Sequence, residues 1–160
     1  ATSLAAARLL REHAPHLRIR VVDVLDLQRL APPERHPEGL DDARFDALFT
    51  TDRPVVLAFH GYPPLVHRLT YRRANHAGFH VHGFQEEGST TTPFDMAMRN
   101  GIDRFALAID VLRRVDEPEH AGVIARLEAA RERCRRHAYE HGDDHPEVVP
   151  TAFGRADLRG

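Results

Sequence analysis

VVLAFHGYPPLVHRLTYRRANHAGFHVHGF, Val55 to Phe84, decides the fold. Its first five residues are an unbroken apolar run after Pro54, the pattern of a strand covered on both faces. His60-Gly61 ends that strand. Pro63 or Pro64 suits the first turn of a helix, where the missing N–H has no helical partner to lose. The helix is expected to run through Leu65, Val66, Leu69 and Tyr71 and to close at Asn75 and Gly78. Phe79 to Phe84 then reads as a second strand, with His80 and His82 alternating against Phe79, Val81 and Gly83. Strand, helix and strand joined by short links make a parallel crossover.

The flanks extend this unit. Upstream, Leu4 to Ala14 is rich in Ala and Leu and stops at Pro15, which predicts a helix. Leu17, Ile19 and Val21 alternate with Arg18 and Arg20 before Val22 and Val24 break the pattern, so a strand with one wet face is expected there. Pro32, Pro33, Pro37 and Gly39 make residues 28–40 a loop. Asp41 or Asp42 caps a short helix through Phe45, Leu48 and Phe49. Downstream, Thr92-Pro93-Phe94-Asp95 is an N-cap with Pro at the first helical position, and Asn100-Gly101 interrupts that helix. The next helix carries Ile102, Phe105, Ala106, Ile109 and Leu112 on one stripe, with Asp103 near its start and Arg113-Arg114 near its end. Pro118 separates it from a last helix, Glu119 to His141, with the stripe Val123, Leu127, Ala130, Cys134 and Ala138 and a stop at Gly142.

The fold class that follows is α/β, a three-layer sandwich with a small, mainly parallel sheet of three strands. Residues 1–142 form the α/β domain, and residues 143–160 a tail packed on its surface. Because the chain opens on a helix, a strand is expected to be missing upstream.

Composition narrows the function classes. The chain has 160 residues, 42% hydrophobic and 29% charged, the size and balance of one soluble domain. No stretch of about 18 apolar residues marks a membrane span, and no signal-peptide pattern opens it. The single Cys134 rules out an internal disulfide and fits a cytoplasmic setting. A formal net charge of -2 is not a nucleic-acid footprint. All 22 basic residues are Arg, which excludes Schiff-base lysine chemistry and the lysine of a Walker loop within this chain.

Several residue groups carry candidate chemistry, each with a plain structural alternative. His60-Gly61 sits where open α/β sheets bind ligands, at the carboxyl end of the central strand; alternatively His60 satisfies loop carbonyls and Gly61 makes a turn. Arg68 and Arg72, four apart on the predicted helix, could clasp a phosphate or carboxylate; alternatively they and Arg73 pair with Glu86 and Glu87. Gly88 to Thr92 before a helix could hold an anion, but Asp95 already supplies negative charge there, which favours capping. His67, His76, His80 and His82 lack Cys or carboxylate partners at zinc spacing, so no metal site is assigned. The run Arg131, Arg133, Arg135, Arg136 is interleaved with Glu128 and Glu132, which suggests pairing within the helix.

Long motifs in order, IRVVDVLDL (19–27), PPERHPEGLDDARFDALFTTDRPVVLAFHGYPPLVHRLTYRRANH (32–76), HVHGFQEEGSTTTPFDM (80–96), NGIDRFALAIDVL (100–112) and YEHGDDHPEV (139–148), carry a family resemblance. The chain resembles the C-terminal domain of the xylulose 5-phosphate/fructose 6-phosphate phosphoketolases over nearly its whole length. The resemblance implies a transketolase-like C-terminal fold at the end of a longer enzyme. That enzyme would use thiamine diphosphate and Mg2+, held by upstream domains at a dimer interface, to cleave a ketose phosphate to acetyl phosphate and an aldose phosphate. It implies no catalytic, cofactor-binding or metal residue here, and an isolated chain without activity. The sequence departs from the family pattern at His82, where Arg is expected, at Phe84, where Tyr is common, and at Pro64, where an aromatic is usual. The domain is expected to serve assembly, interdomain packing or regulation within a homodimer or higher oligomer. His60, Tyr62, Arg72, Arg73, Asn75, Glu86 and Glu87 are the candidate interdomain or anion contacts. A different reading of the same residues is a free-standing nucleotide- or anion-binding regulatory module.

Overall fold

In the computed structural model, which describes residues 2–149 apart from 86, 87, 89 and 116, the apolar run becomes strand β1, Val55–Phe59. It pairs in parallel with β2, Phe79–Gly83, in the register Val55↔Phe79 to Phe59↔Gly83. Between them lies α3, Pro63–Thr70, with Pro at its start. Side chains alternate across a strand, and here the alternation divides the core in two. Val56 and Ala58 face a cluster built from α1 (Thr2–His13), α4 (Pro93–Arg99), α5 (Arg104–Val115) and α6 (Ala121–His141). Val55, Leu57 and Phe59 face a second cluster with Leu30, α2 (Asp42–Phe49), Val66 of α3, Phe79 and Val81. Helices thus cover both faces of a small parallel sheet, an α/β sandwich. In the second cluster the rings of Phe45, Phe49 and Phe79 pack pairwise with centroids 4.7, 5.8 and 5.5 Å apart.

Local chemistry sets the helix ends. The Asp41 carboxylate accepts the Arg44 N–H at 2.8 Å and caps α2. The Thr92 hydroxyl accepts the Asp95 N–H at 3.3 Å and caps α4. Asp103, fully buried, accepts from Phe105 N and Ala106 N at 3.0 Å each to start α5, and its other oxygen takes Arg131 Nε at 2.9 Å. Gly142 ends α6 with φ 74°, the left-handed conformation that favours glycine. The buried stripe of α6 is Val123, Leu127, Ala130, Cys134 and Ala138, as its periodicity predicts.

Four expectations are corrected. The sheet among the described residues has two strands, and segment 17–24 is not one of them. Its apolar residues change phase between Ile19 and Val22: Leu17 and Ile19 pack on the first cluster, Val22 and Val24 on the second. A strand keeps one parity per face, so this segment crosses between the cores as irregular chain. The predicted loop at 28–40 begins inside a single 3-10 turn, Leu27–Leu30, capped by Asp26. Helix α3 stops at Thr70, well before Asn75, so Arg72 and Arg73 lie beyond its C-cap Tyr71. The last helix starts at Ala121, after a 3-10 turn at Pro118–His120. Beyond Gly142, the Asp144 carboxylate accepts the Phe94 N–H at 3.1 Å, and Val148 is buried in the first cluster. Phe153 and Leu158 of the predicted tail lie outside the described residues.

Candidate functional site

At the carboxyl end of β1 the chain turns at His60-Gly61 and crosses close to the end of β2. A Cβ on Gly83 would stand 2.2 Å from the Gly61 carbonyl oxygen and 2.5 Å from Pro63 Cδ, so only glycine fits where the two strands finish. The His60 ring stacks on Phe84, centroids 4.3 Å apart and 14° from parallel. Tyr62, the N-cap of α3, is 64% exposed. The stacked His60–Phe84 pair, with the exposed Tyr62 two residues after His60, makes an aromatic crest at the strand ends.

The remaining candidates divide differently from their sequence grouping. Arg72 lies on the surface, its Nε donating to the Tyr71 hydroxyl at 2.9 Å. Both Arg72 and Arg35 sit over the Tyr71 ring, 5.5 and 5.1 Å from its centre. With eight residues at 1.5 Å rise, α3 holds this patch about 12 Å from Tyr62, at the other end of the sheet. Arg68 and Arg72 share no helix, so the predicted two-arginine clasp is not built. Arg73 and Asn75 are internal. Arg73 is 4% exposed, donates to the Leu30 and Leu40 carbonyls and to Asp42 at 2.6–3.1 Å, and lies 4.2 Å over the Phe45 ring. The Asn75 amide donates to the Phe49 and Arg53 carbonyls at 3.2 and 2.8 Å. Both close the segment around α2, which removes them from a contact surface. Glu86 and Glu87 lie outside the described residues.

One polar group escaped sequence reasoning. His82 Nε2 meets Asp110 Oδ2 at 2.9 Å, and Arg114 donates to Asp110 Oδ1 at 2.9 Å. Burial alone would push the Asp110 carboxyl up, but the hydrogen bonds from His82 and Arg114, with the Arg114 charge, hold it below the usual carboxylate range. Burial, then the Arg114 charge, lowers His80 below its ordinary value. The partners are 28 residues apart, and the only local signal was the i,i+4 spacing of Asp110 and Arg114. This cluster fastens β2 to α5. It also gives His82 a structural partner.

Chemistry elsewhere is similarly occupied. Asp95, Met98, Arg99, Arg131, Glu132 and Arg135 line a hollow of about 50 Å³. Its arginines face anions already present: Arg99 donates to Asp95 at 3.1 Å, Arg131 to Asp103, and Arg135 pairs with Glu132 at 3.2 Å. Cys134, His145 and Glu147 bring three ligand atoms within 4.8 Å of one another. Burial, with Glu147 next in effect, pushes the Cys134 thiol up to about 11. No helix among the described residues is long and apolar enough to cross a membrane.

Comparison with known proteins fits this picture of a packed domain. The family model described as the XFP C-terminal domain matches residues 1–152. A probable phosphoketolase of Rhodopseudomonas palustris (strain BisB5) is 57% identical over 150 residues, covering 91% of this chain and 19% of that protein. One from Mycobacterium avium (strain 104) is 57% identical over 149 residues, 92% of this chain and 18% of its own length. One from Methylococcus capsulatus is 52% identical over 149 residues with the same coverage, 92% and 18%. The chain therefore spans about a fifth of the length of these curated relatives. Matched almost end to end, the chain belongs to the XFP C-terminal domain family.

Proposed function

We propose that this domain completes a cytoplasmic, homo-oligomeric phosphoketolase and packs against its catalytic domains through the crest of His60, Tyr62 and Phe84. The reaction of the whole enzyme, a carbon–carbon lyase, is cleavage of xylulose 5-phosphate, fructose 6-phosphate or both with inorganic phosphate, giving acetyl phosphate and an aldose phosphate. Thiamine diphosphate and Mg2+ serve that chemistry from upstream domains of the same chain. The observation that carries the contact role is the exposed Tyr62, two residues after a His60 that stacks on Phe84, at the carboxyl end of the sheet. Aromatic side chains of this kind are over-represented where interfaces form.

The assignment of cofactor to other domains is supported by scale. Small-molecule sites occupy about 300–1,000 Å³, and the hollow beside Arg99 and Arg131 offers about 50 Å³. Its residues do not fit thiamine diphosphate. The anion-binding reading finds less support at the candidate residues, since Arg72 lies against Tyr71 and the buried Arg73 is held by carbonyls, so the two do not face one anion. On this reading the domain acts by shape and contact, and turnover requires the whole enzyme. Replacing both His60 and Tyr62 by Ala in the full-length enzyme tests the reading. Acetyl phosphate formation or subunit association should weaken about tenfold, roughly 1.4 kcal/mol. Unchanged turnover together with unchanged assembly mass would exclude the crest as a contact surface.

A further inference from the structure

A second polar constellation lies away from the crest, where the chain leaving α1 meets the link between α5 and α6. His16, Glu117, Glu119 and His120 each present one ligand atom, and these atoms all lie within 4.8 Å of one another. The shorter separations are close to uniform. His16 Nε2 is 3.0 Å from Glu117 Oε2, 3.3 Å from Glu119 Oε1 and 3.2 Å from His120 Nε2, and His120 Nε2 is 3.4 Å from Glu117 Oε2. Four ligands held tetrahedrally at about 2.0–2.1 Å from a zinc-class ion stand about 3.3–3.4 Å apart, since a tetrahedron's edge is 1.63 times its centre-to-vertex distance. The observed spacings fall near that edge.

Hydrogen bonding explains this crowding less well. A neutral imidazole Nε2 carries at most one hydrogen, yet His16 Nε2 has three electronegative atoms within 3.3 Å. One proton can satisfy only one of them. A dication at the centre satisfies all four lone pairs at once, and two carboxylates balance its charge beside a histidine that is 2% exposed. Burial holds His120 in place, and stacking of the His16 ring on it, with centroids 5.3 Å apart, orients the pair.

We propose that His16, Glu117, Glu119 and His120 form a closed, four-coordinate site for a divalent transition metal of the zinc class. Two imidazoles with two carboxylates suit such an ion better than Ca2+ or Mg2+, which prefer six or more oxygens. Four protein ligands leave no open position, so the site is structural. It ties residue 16 to a turn 101–104 positions later in the chain.

Cobalt(II) added to the full-length protein provides the test, because tetrahedral cobalt absorbs visible light far more strongly than octahedral cobalt at an oxygen-rich magnesium site. The wild type should give one equivalent of the tetrahedral spectrum, displaced by Zn2+, and Zn2+ should raise the unfolding temperature. His16→Ala and Glu119→Gln change exposed side chains and should leave the fold intact by circular dichroism while weakening cobalt binding at least tenfold. A His141→Ala variant should bind normally. The proposal fails if the wild type shows no tetrahedral spectrum, if both ligand variants retain it, or if only His141→Ala removes it.

Discussion

Arg73 shows how one side chain can be misread from its neighbours in sequence. Next to Arg72 after a helix, it has the profile of a surface cation, but its guanidinium serves two carbonyls from the loop before α2 and lies over Phe45. Its carboxylate partner Asp42 is 82% exposed on its side chain, so the ion pair is well hydrated at one end and contributes little, under about 1 kcal/mol. The carbonyls decide the energetics, because each would be left buried without a donor. Arg73→Met is expected to cost about 2–4 kcal/mol and Asp42→Ala less than about 1 kcal/mol, measured as shifts in urea midpoint. Equal costs would mean that the charge pair, and not the carbonyls, sets the role. Nothing within a few residues of Arg73 announces this, since its acceptors are 33 and 43 positions away. The partnership of His82 with Asp110 was hidden for the same reason.

Elements were far more legible than such contacts wherever local chemistry marks their ends. Asp41, Thr92 and Gly142 cap helices where the sequence puts them, because capping involves residues only a few positions apart. The five-residue run at Val55 is a strand with the predicted bounds. Segment 17–24 was illegible as a unit because its two halves serve different cores, a choice that only the assembled molecule imposes. The end of α3 was overrun because the three residues after its C-cap, Arg72 to Ala74, carry no breaker that marks the stop at Thr70, while Arg73 turns inward to its carbonyls. The candidate contacts shared this fate: the exposed crest at His60 and Tyr62 was visible as chemistry at a strand end, while Asn75 was not distinguishable from a surface polar residue. At Gly83 the element scale makes its own prediction. A methyl group there meets the Gly61 carbonyl and Pro63, neither of which can swing aside, so Gly83→Ala should cost about 2–3 kcal/mol by denaturation. An unaltered midpoint would mean that the strand ends separate without cost.

For the whole molecule, the junction between sheet and α5 governs the response to acid. Asp110 titrates below its ordinary 3.8, so its contribution is present above that value and is lost as pH falls through the lowered one. His80 titrates below its ordinary 6.5, so its neutral state favours the fold above 6.5, and that contribution is lost as pH falls through its own lowered value. Both act in the same direction. Stability should therefore decline in two stages on acidification, first below about 6.5 and again below about 3.8, and Asp110→Asn should flatten the second stage in a pH series of denaturation midpoints. A single decline unaffected by that change would remove Asp110 from the account.

The division of the core by the parity of β1 also sets an order in time. The cluster around Phe45 draws on residues 22–81, whereas the cluster on the opposite face joins α1 at the start of the chain to α5, α6 and Val148 near its end. A chain emerging from the ribosome can bury the first of these once β2 is out. Helix α1 is synthesised well before its packing partner, so its apolar stripe waits for α5, which follows some hundred residues later.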